Sequence, residues 1–66
     1  MKVTINGAQK DIDTSCNLQA LVQRFCADPH HVIAELNGGI IKAPQWTEHI
    51  LKEGDAVELV SFVGGG

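Results

Sequence analysis

Residues 56–66 read AVELVSFVGGG, and the reading of this stretch decides the fold. Up to Val63 the run is apolar, interrupted by Glu58 and Ser61 alone. A short apolar run bounded by turn residues reads as a strand at the centre of a sheet, with neighbours on both edges. The turn before it is "KEGD" (52–55), where Gly54 supplies a positive φ. Successive side chains of a strand point to opposite faces. Val57 and Leu59 therefore share one face, and Glu58, Val60 and Phe62 share the other.

The rest of the chain has to supply that strand's neighbours and its cover. "KVTIN" (2–6) alternates, with Val3 and Ile5 on one side. Asn6-Gly7 is a hairpin signal, because both residues tolerate positive φ. It leads to a second short strand in "KDID" (10–13), with Ile12 facing in. "HVIAELN" (31–37) is a third strand. Val32, Ala34 and Leu36 form one of its faces, and His31, Ile33 and Glu35 the other. "NGG" (37–39) turns the chain into "IIKA" (40–43), a short edge piece with Pro44 near its end.

Between the second and third strands the period changes. Leu18, Leu21, Val22, Phe25 and Cys26 fall at i, i+3, i+4, i+7 and i+8, one apolar helical stripe. Ser15 or Asn17 caps its start by accepting a bond from a free backbone N–H. Pro29 drives Asp28 out of the helical region, so the helix is expected to end near Ala27. A helix of about 10 residues is unstable alone and has to pack on a sheet. "PQWTEHIL" (44–51) has no clean period. It reads as a helical turn or loop that drops Trp46, Ile50 and Leu51 against the core.

The expected fold is an α+β roll, a mixed sheet of four to five strands with one main helix packed on one face. The one expected crossover runs from the second strand to the third, through the helix. Residues 1–63 form the domain, and 64–66 a flexible glycine tail. Since one helix covers one face, Val60, Phe62 and Ile33 are expected to face solvent on the other. Such an apolar patch beside the tail is a docking surface, unless "EHIL" (48–51) folds over it. Glu35 and Glu58 lie on the same face and are placed to steer a basic partner.

With 66 residues, the chain makes one domain at most. A domain this small buries only about 60% of the surface its unfolded form exposes, which leaves little room for an internal catalytic cleft. The five basic residues are scattered and the net charge is −3, so no basic stripe offers itself to nucleic acid. No apolar run approaches the roughly 20 residues that span a bilayer, and no signal sequence opens the chain. Cytoplasm is the expected location. Cys16 and Cys26 match no Cys-x-x-Cys motif, and they are expected to be reduced, structural thiols.

The three glycines invite a chemical reading. Glycine has no Cβ, so its backbone enters channels too narrow for side chains. Three extended residues reach about 10 Å beyond Val63. Gly66 is expected to end the chain, with its α-carboxylate as the one reactive group on the arm. A carboxylate is a poor electrophile until its charge is masked, and a mixed anhydride with AMP does this. A sulfur nucleophile then takes the acyl position. The chain has neither a phosphate-binding Gly-x-x-x-x-Gly-Lys-Ser/Thr loop nor an evident metal set. It is therefore expected to be the substrate or carrier rather than the catalyst.

Several stretches together carry a family resemblance over essentially the whole length. They are "VTING" (3–7), "NLQALVQRF" (17–25) of the L-x-x-L-L type, "VIAELNGGII" (32–41) and "PQWTEHILKEGDAVELVSFVGGG" (44–66). The chain resembles the ThiS family, the small sulfur carriers of thiamin thiazole synthesis. That resemblance implies a ubiquitin-like β-grasp. It implies adenylation of Gly66 by a ThiF-like enzyme that uses ATP and Mg, with no cofactor bound by the chain itself. Conversion to a thiocarboxylate follows, with sulfur from a cysteine desulfurase or other persulfide donor, and delivery to a ThiG-like thiazole synthase. The "NGG" at 37–39 is more glycine-rich than the family pattern and bears on loop shape alone.

Three other functions fit parts of the sequence. A MoaD-like carrier for molybdopterin synthesis also ends in Gly-Gly, but tends to be longer, often with a Pro-containing stretch before the glycines. A ubiquitin-like protein modifier shares the chemistry as far as the adenylate. An interaction module with a frayed end would be indifferent to loss of Gly66. His30, His31 and His49 read as surface-loop histidines, because adjacent histidines on an extended chain point apart and do not share an ion. Trp46 reads as a packing anchor at the core edge.

Overall fold

The computed structural model describes residues 1–62. Val63, Gly64, Gly65 and Gly66 lie outside the described residues, and with them the reading of 64–66 as a tail.

The strands are β1 (Lys2–Ile5), β2 (Ala8–Asp11), β3 (Val32–Leu36), β4 (Gly39–Ile41) and β5 (Ala56–Ser61), and the helix α1 spans Leu18–Phe25. The sheet runs β2-β1-β5-β3-β4, with β5 at the centre. β5 lies parallel to β1 and antiparallel to β3. The chain belongs to the α+β class with a mixed five-stranded sheet and one main helix, as the periodicities require.

Local chemistry accounts for the elements. Asn6 and Gly7 adopt φ of 50° and 82° and join β1 to β2 in a two-residue turn. Positive φ at both positions matches the right-handed twist of the flanking strands. Asn37 and Gly38, at 51° and 88°, repeat the device between β3 and β4, which accounts for the glycine-rich "NGG". Asn17 caps α1, its Oδ1 accepting from the Ala20 N–H at 2.8 Å. Trp46 is buried in a 3-10 turn at Ala43–Glu48, and its indole N–H donates to the Ile41 carbonyl at 2.8 Å. This fills the last carbonyl of edge strand β4 and fits the anchor role.

The core lies between α1 and one face of the sheet. Leu18, Leu21 and Val22 pack with Val3, Val57, Leu59, Ala34, Trp46 and Leu51. Ile12 is buried as expected, although it follows β2 rather than lying in it.

Four expectations need correction. The helix is eight residues long and stops at Phe25, because Cys26 is already extended at φ −124°, ψ 131°. Phe25 consequently lies at the margin of the stripe, 36% exposed, with the Arg24 guanidinium 5.1 Å from its ring centroid. The chain has left the helix before Pro29 acts, and Asp28, held in β space by Pro29, instead caps a 3-10 turn at Pro29–His31. Ile50 is 52% exposed rather than against the core. It forms an isolated antiparallel bridge with Asn17, and on such extended backbone neighbours point apart. Leu51 takes the inward direction, so Ile50 cannot. Finally, there is a second crossover: the connection from β4 passes β3 to insert β5 beside it. The central strand comes last in the sequence, so the chain has to return into the middle of the sheet.

Candidate functional site

The expected docking residues occupy the open face of β3 and β5. Ile33 stands directly opposite Val60, and Glu35 directly opposite Glu58. Ile40 of β4 lies opposite Glu35 and extends the face to the sheet edge. Ile33, Val60 and Phe62 are 42%, 52% and 45% exposed. Nothing from residues 48–51 covers them. Leu51 is in the core on the helix side, and Ile50 bridges to the start of α1.

The electrostatics of this face are one-signed. Like charges directly opposite on paired strands repel, and neither Glu35 nor Glu58 is in an ion pair among the described residues. A basic group from outside would relieve that repulsion. The patch therefore offers four apolar side chains, Ile33, Ile40, Val60 and Phe62, beside Glu35 and Glu58.

Two asparagines hold β5 in place. The Asn6 side chain donates from Nδ2 to the Leu59 carbonyl at 3.2 Å and accepts at Oδ1 from the Leu59 N–H at 2.7 Å. It acts as one more peptide unit of β1. At the other end of β5, Asn37 Oδ1 accepts from the Ala56 N–H at 2.9 Å, and its Nδ2 donates to Asp55 at 3.0 Å. Asp55 in turn accepts from the Lys52 N–H at 2.8 Å, and Gly54 turns the chain at φ 86°. Sequence reasoning recognised both asparagines as turn residues, but it missed their second role, because their partners are distant in sequence.

The last of the described residues has its own contacts. Phe62 follows the last residue of β5, and its N–H donates to the His31 carbonyl at 2.9 Å. The His31 and Phe62 rings meet edge to face, with centroids 5.6 Å apart at 84°. His31 Nδ1 lies 2.5 Å from Asp28 Oδ2, and Asp28 Oδ1 accepts from the His30 N–H at 3.1 Å. The bond to His31, followed by that from His30, holds the Asp28 carboxyl below its ordinary range. His31 is thus engaged on both sides. Gly64, Gly65 and Gly66 lie beyond the described residues.

Cys16 and Cys26 are free thiols. Burial raises the pKa of both, and Asp13 adds to the effect at Cys16. A thiol held protonated is a poor nucleophile, which fits the structural reading. Among the described residues no three His, Cys, Asp or Glu side chains are grouped to hold a metal ion, and no helix is long and apolar enough to cross a membrane.

Comparison with known proteins follows the same lines. A family model described as the ThiS family matches residues 3–66. The crystal structure of the thiamine biosynthesis protein ThiS from Geobacter metallireducens superposes with a TM-score of 0.86 at 35% identity, covering 100% of both chains. A solution structure of a thiamine biosynthesis protein from the same organism gives 0.78 at 32% identity, over 100% of this chain and 88% of that one. Among curated proteins, a thiazole synthase of Paramagnetospirillum magneticum is 32% identical over 66 residues, and one of Magnetococcus marinus 29%. Both matches cover 100% of this chain, which spans only 20% of the length of either relative.

Proposed function

The chain belongs to the ThiS family, and from that premise we propose that it is a sulfur carrier for thiazole formation in thiamin synthesis. It has the family's mixed sheet with one main helix, and it acts as a small carrier protein rather than a catalyst. Gly66 is the working residue, with Gly64 and Gly65 as the slender approach to it. The proposal takes Gly66 to bear a free α-carboxylate in the working protein. The match that extends through residue 66 is the observation that carries this reading.

The chemistry runs in balanced steps. The Gly66 carboxylate attacks the α-phosphorus of ATP in a ThiF-like enzyme; a C–O–P anhydride forms and pyrophosphate leaves. A persulfide from a cysteine desulfurase or similar donor attacks the acyl carbon and AMP leaves, giving an acyl disulfide. A second thiol attacks the donor's sulfur of that disulfide; the S–S bond breaks, a new disulfide forms, and the thiocarboxylate departs with its electron pair. ATP and Mg belong to the activating enzyme. The thiocarboxylate is then the sulfur donor to a ThiG-like thiazole synthase. The two thiazole synthases that contain a segment similar to this chain support that pairing, since carrier and synthase in one polypeptide would be a covalent version of the same encounter.

The open face has a place in this scheme. Ile33, Val60 and Phe62 supply apolar contact, and Glu35 and Glu58 favour a partner with a basic surface. Intact-mass spectrometry is the test: the chain is incubated with a ThiF-like enzyme, ATP, Mg and a persulfide donor. A gain equal to the sulfur–oxygen mass difference is expected at Gly66. No gain, or stable attachment to lysines of other proteins, would overturn the proposal. A chain lacking Gly66 should give none.

A further inference from the structure

We propose that Asp28 and His31 form a clamp on Phe62 that positions the root of the tail for acyl transfer. This inference rests on the carrier reading; Phe62 also belongs to the docking face, while Asp28 and His31 hold it from the N-terminal end of β3.

A carrier of this kind has to present its reactive carbon in a defined direction. Its reactive carbon lies beyond Phe62, four residues along. An arm without side chains cannot hold its own direction, because glycine has the largest conformational freedom of any residue. Direction has to be set where the domain holds the chain before the glycines, and Phe62 is the last of the described residues. β5 pairs with β3 through Ser61, opposite Val32. Phe62 is one step past that register, where strand ends ordinarily fray. Here it is gripped twice. Its N–H donates to the His31 carbonyl at 2.9 Å, and its ring meets the His31 ring edge to face at 5.6 Å.

His31 is itself held. Asp28 Oδ2 lies 2.5 Å from Nδ1 of the ring, while Asp28 Oδ1 is fixed by the His30 N–H. The 3-10 turn between them sets the spacing. The order of support is therefore turn, Asp28, His31, Phe62. The alternative is that these contacts only close the end of the sheet. That reading predicts a loss of stability and no change in turnover. Asp28 and His31 are positioning residues: they act through Phe62 and need not touch the reacting atoms.

The two roles separate in the kinetics of tail activation. A docking residue such as Val60 should act on KM, since it contributes to capture. The clamp should act on kcat, since it presents a carboxylate that is already captured. We expect His31→Ala to lower kcat about tenfold with KM within about twofold, in line with the cost of small misplacements. His31→Phe keeps the ring contact and should restore most of the rate. Asp28→Asn keeps the cap on the 3-10 turn but weakens the hold on the ring. It should lower kcat in the wild-type background and leave it unchanged in His31→Phe, where no imidazole remains to be held.

A readout independent of activity completes the test. In isotopically labelled protein, the Phe62 amide should be as rigid as β5 in the wild type and should lose order in His31→Ala, from about 0.85 towards 0.6 or below. An unchanged kcat, or a loss confined to KM, would overturn the clamp. So would equal effects of Asp28→Asn in both backgrounds. If His31→Ala fails to fold, the His31→Phe and Asp28→Asn pair decides in the same way. If the wild-type chain never gains sulfur, the carrier reading fails, and the Phe62 amide alone decides the clamp: unchanged order in the variants overturns it.

Discussion

The two faces of β5 carry similar residues and have opposite fates. Val57 and Leu59 are 1% and 9% exposed, whereas Val60, the next residue of the strand, and Phe62, just past its end, are 52% and 45% exposed. Hydrophobicity does not separate them. What separates them is that α1 and the segment carrying Trp46 and Leu51 lie on one side of the sheet. The covered face stabilises the domain, and the open face is left uncovered among the described residues. Apolar surface is costly to leave in water, so an open apolar strip is informative in a way that a buried one is not.

The sharpest way to break this comparison is a pair of truncations. Leu18→Ala removes a fully buried side chain under the sheet and should cost about 2–5 kcal/mol. In a domain whose core supplies no more than about 3–5 kcal/mol, that leaves it largely unfolded. Val60→Ala should cost under about 1 kcal/mol. Urea titrations followed by circular dichroism compare the two, and equal costs would mean that the open face is in fact part of the core. Asn6→Ala comes next. It leaves both polar groups of Leu59 without their side-chain partner and puts alanine at φ 50°. A loss of about 1–3 kcal/mol is expected, with faster hydrogen exchange at the Leu59 amide.

Phe62→Ala tests the open face directly. Its melting temperature should hardly change, while Kd for the activating enzyme should rise at least about tenfold. Severe unfolding would invert the assignment of faces. Glu58→Gln is subtler. Removing one of two facing carboxylates should raise stability by a few tenths of a kcal/mol, yet slow association with a basic partner at low salt. Stopped-flow rates at two ionic strengths would show whether that trade exists.

Acid provides the smallest and most local effect. Asp11, bonded to Lys2 at 2.7 Å, and Asp28, bonded to His31, both titrate below the ordinary aspartate value of 3.8. A depressed carboxyl contributes stability that is fully present above its unfolded value and lost as the pH falls through its folded value. Melting temperatures of wild type, Asp11→Asn and Asp28→Asn should therefore stay apart above about pH 4, draw together as the pH falls below it, and meet only below the depressed folded values. Both carboxylates are exposed, so the separation should shrink in high salt.

Much of the fold was legible because its signals are local. Val3 and Ile5 alternate within one strand, Leu18, Leu21 and Val22 recur at helical spacing, and Asn6, Asn37 and Gly54 mark turns by what their backbones tolerate. The exposure of Ile33, Val60 and Phe62 also followed, since one helix covers one face. Legibility failed where a residue had two local options. Ile50 and Leu51 are both apolar neighbours, and nothing within that segment says which one faces in. Phe25 fits the stripe by spacing, but the helix ends under it.

Local sequence signals suffice for the class of fold and the central place of β5. Periodicity, turn preference and the absence of side chains on glycine act within a few residues. Only the tertiary structure decided that β5 runs parallel to β1, that Asn6 grips Leu59, and that Asp28 and His31 close on Phe62. Asn6 and Leu59 are 53 positions apart. Contacts at that range follow from which surfaces the whole chain can bring together at once, and no local pattern records them.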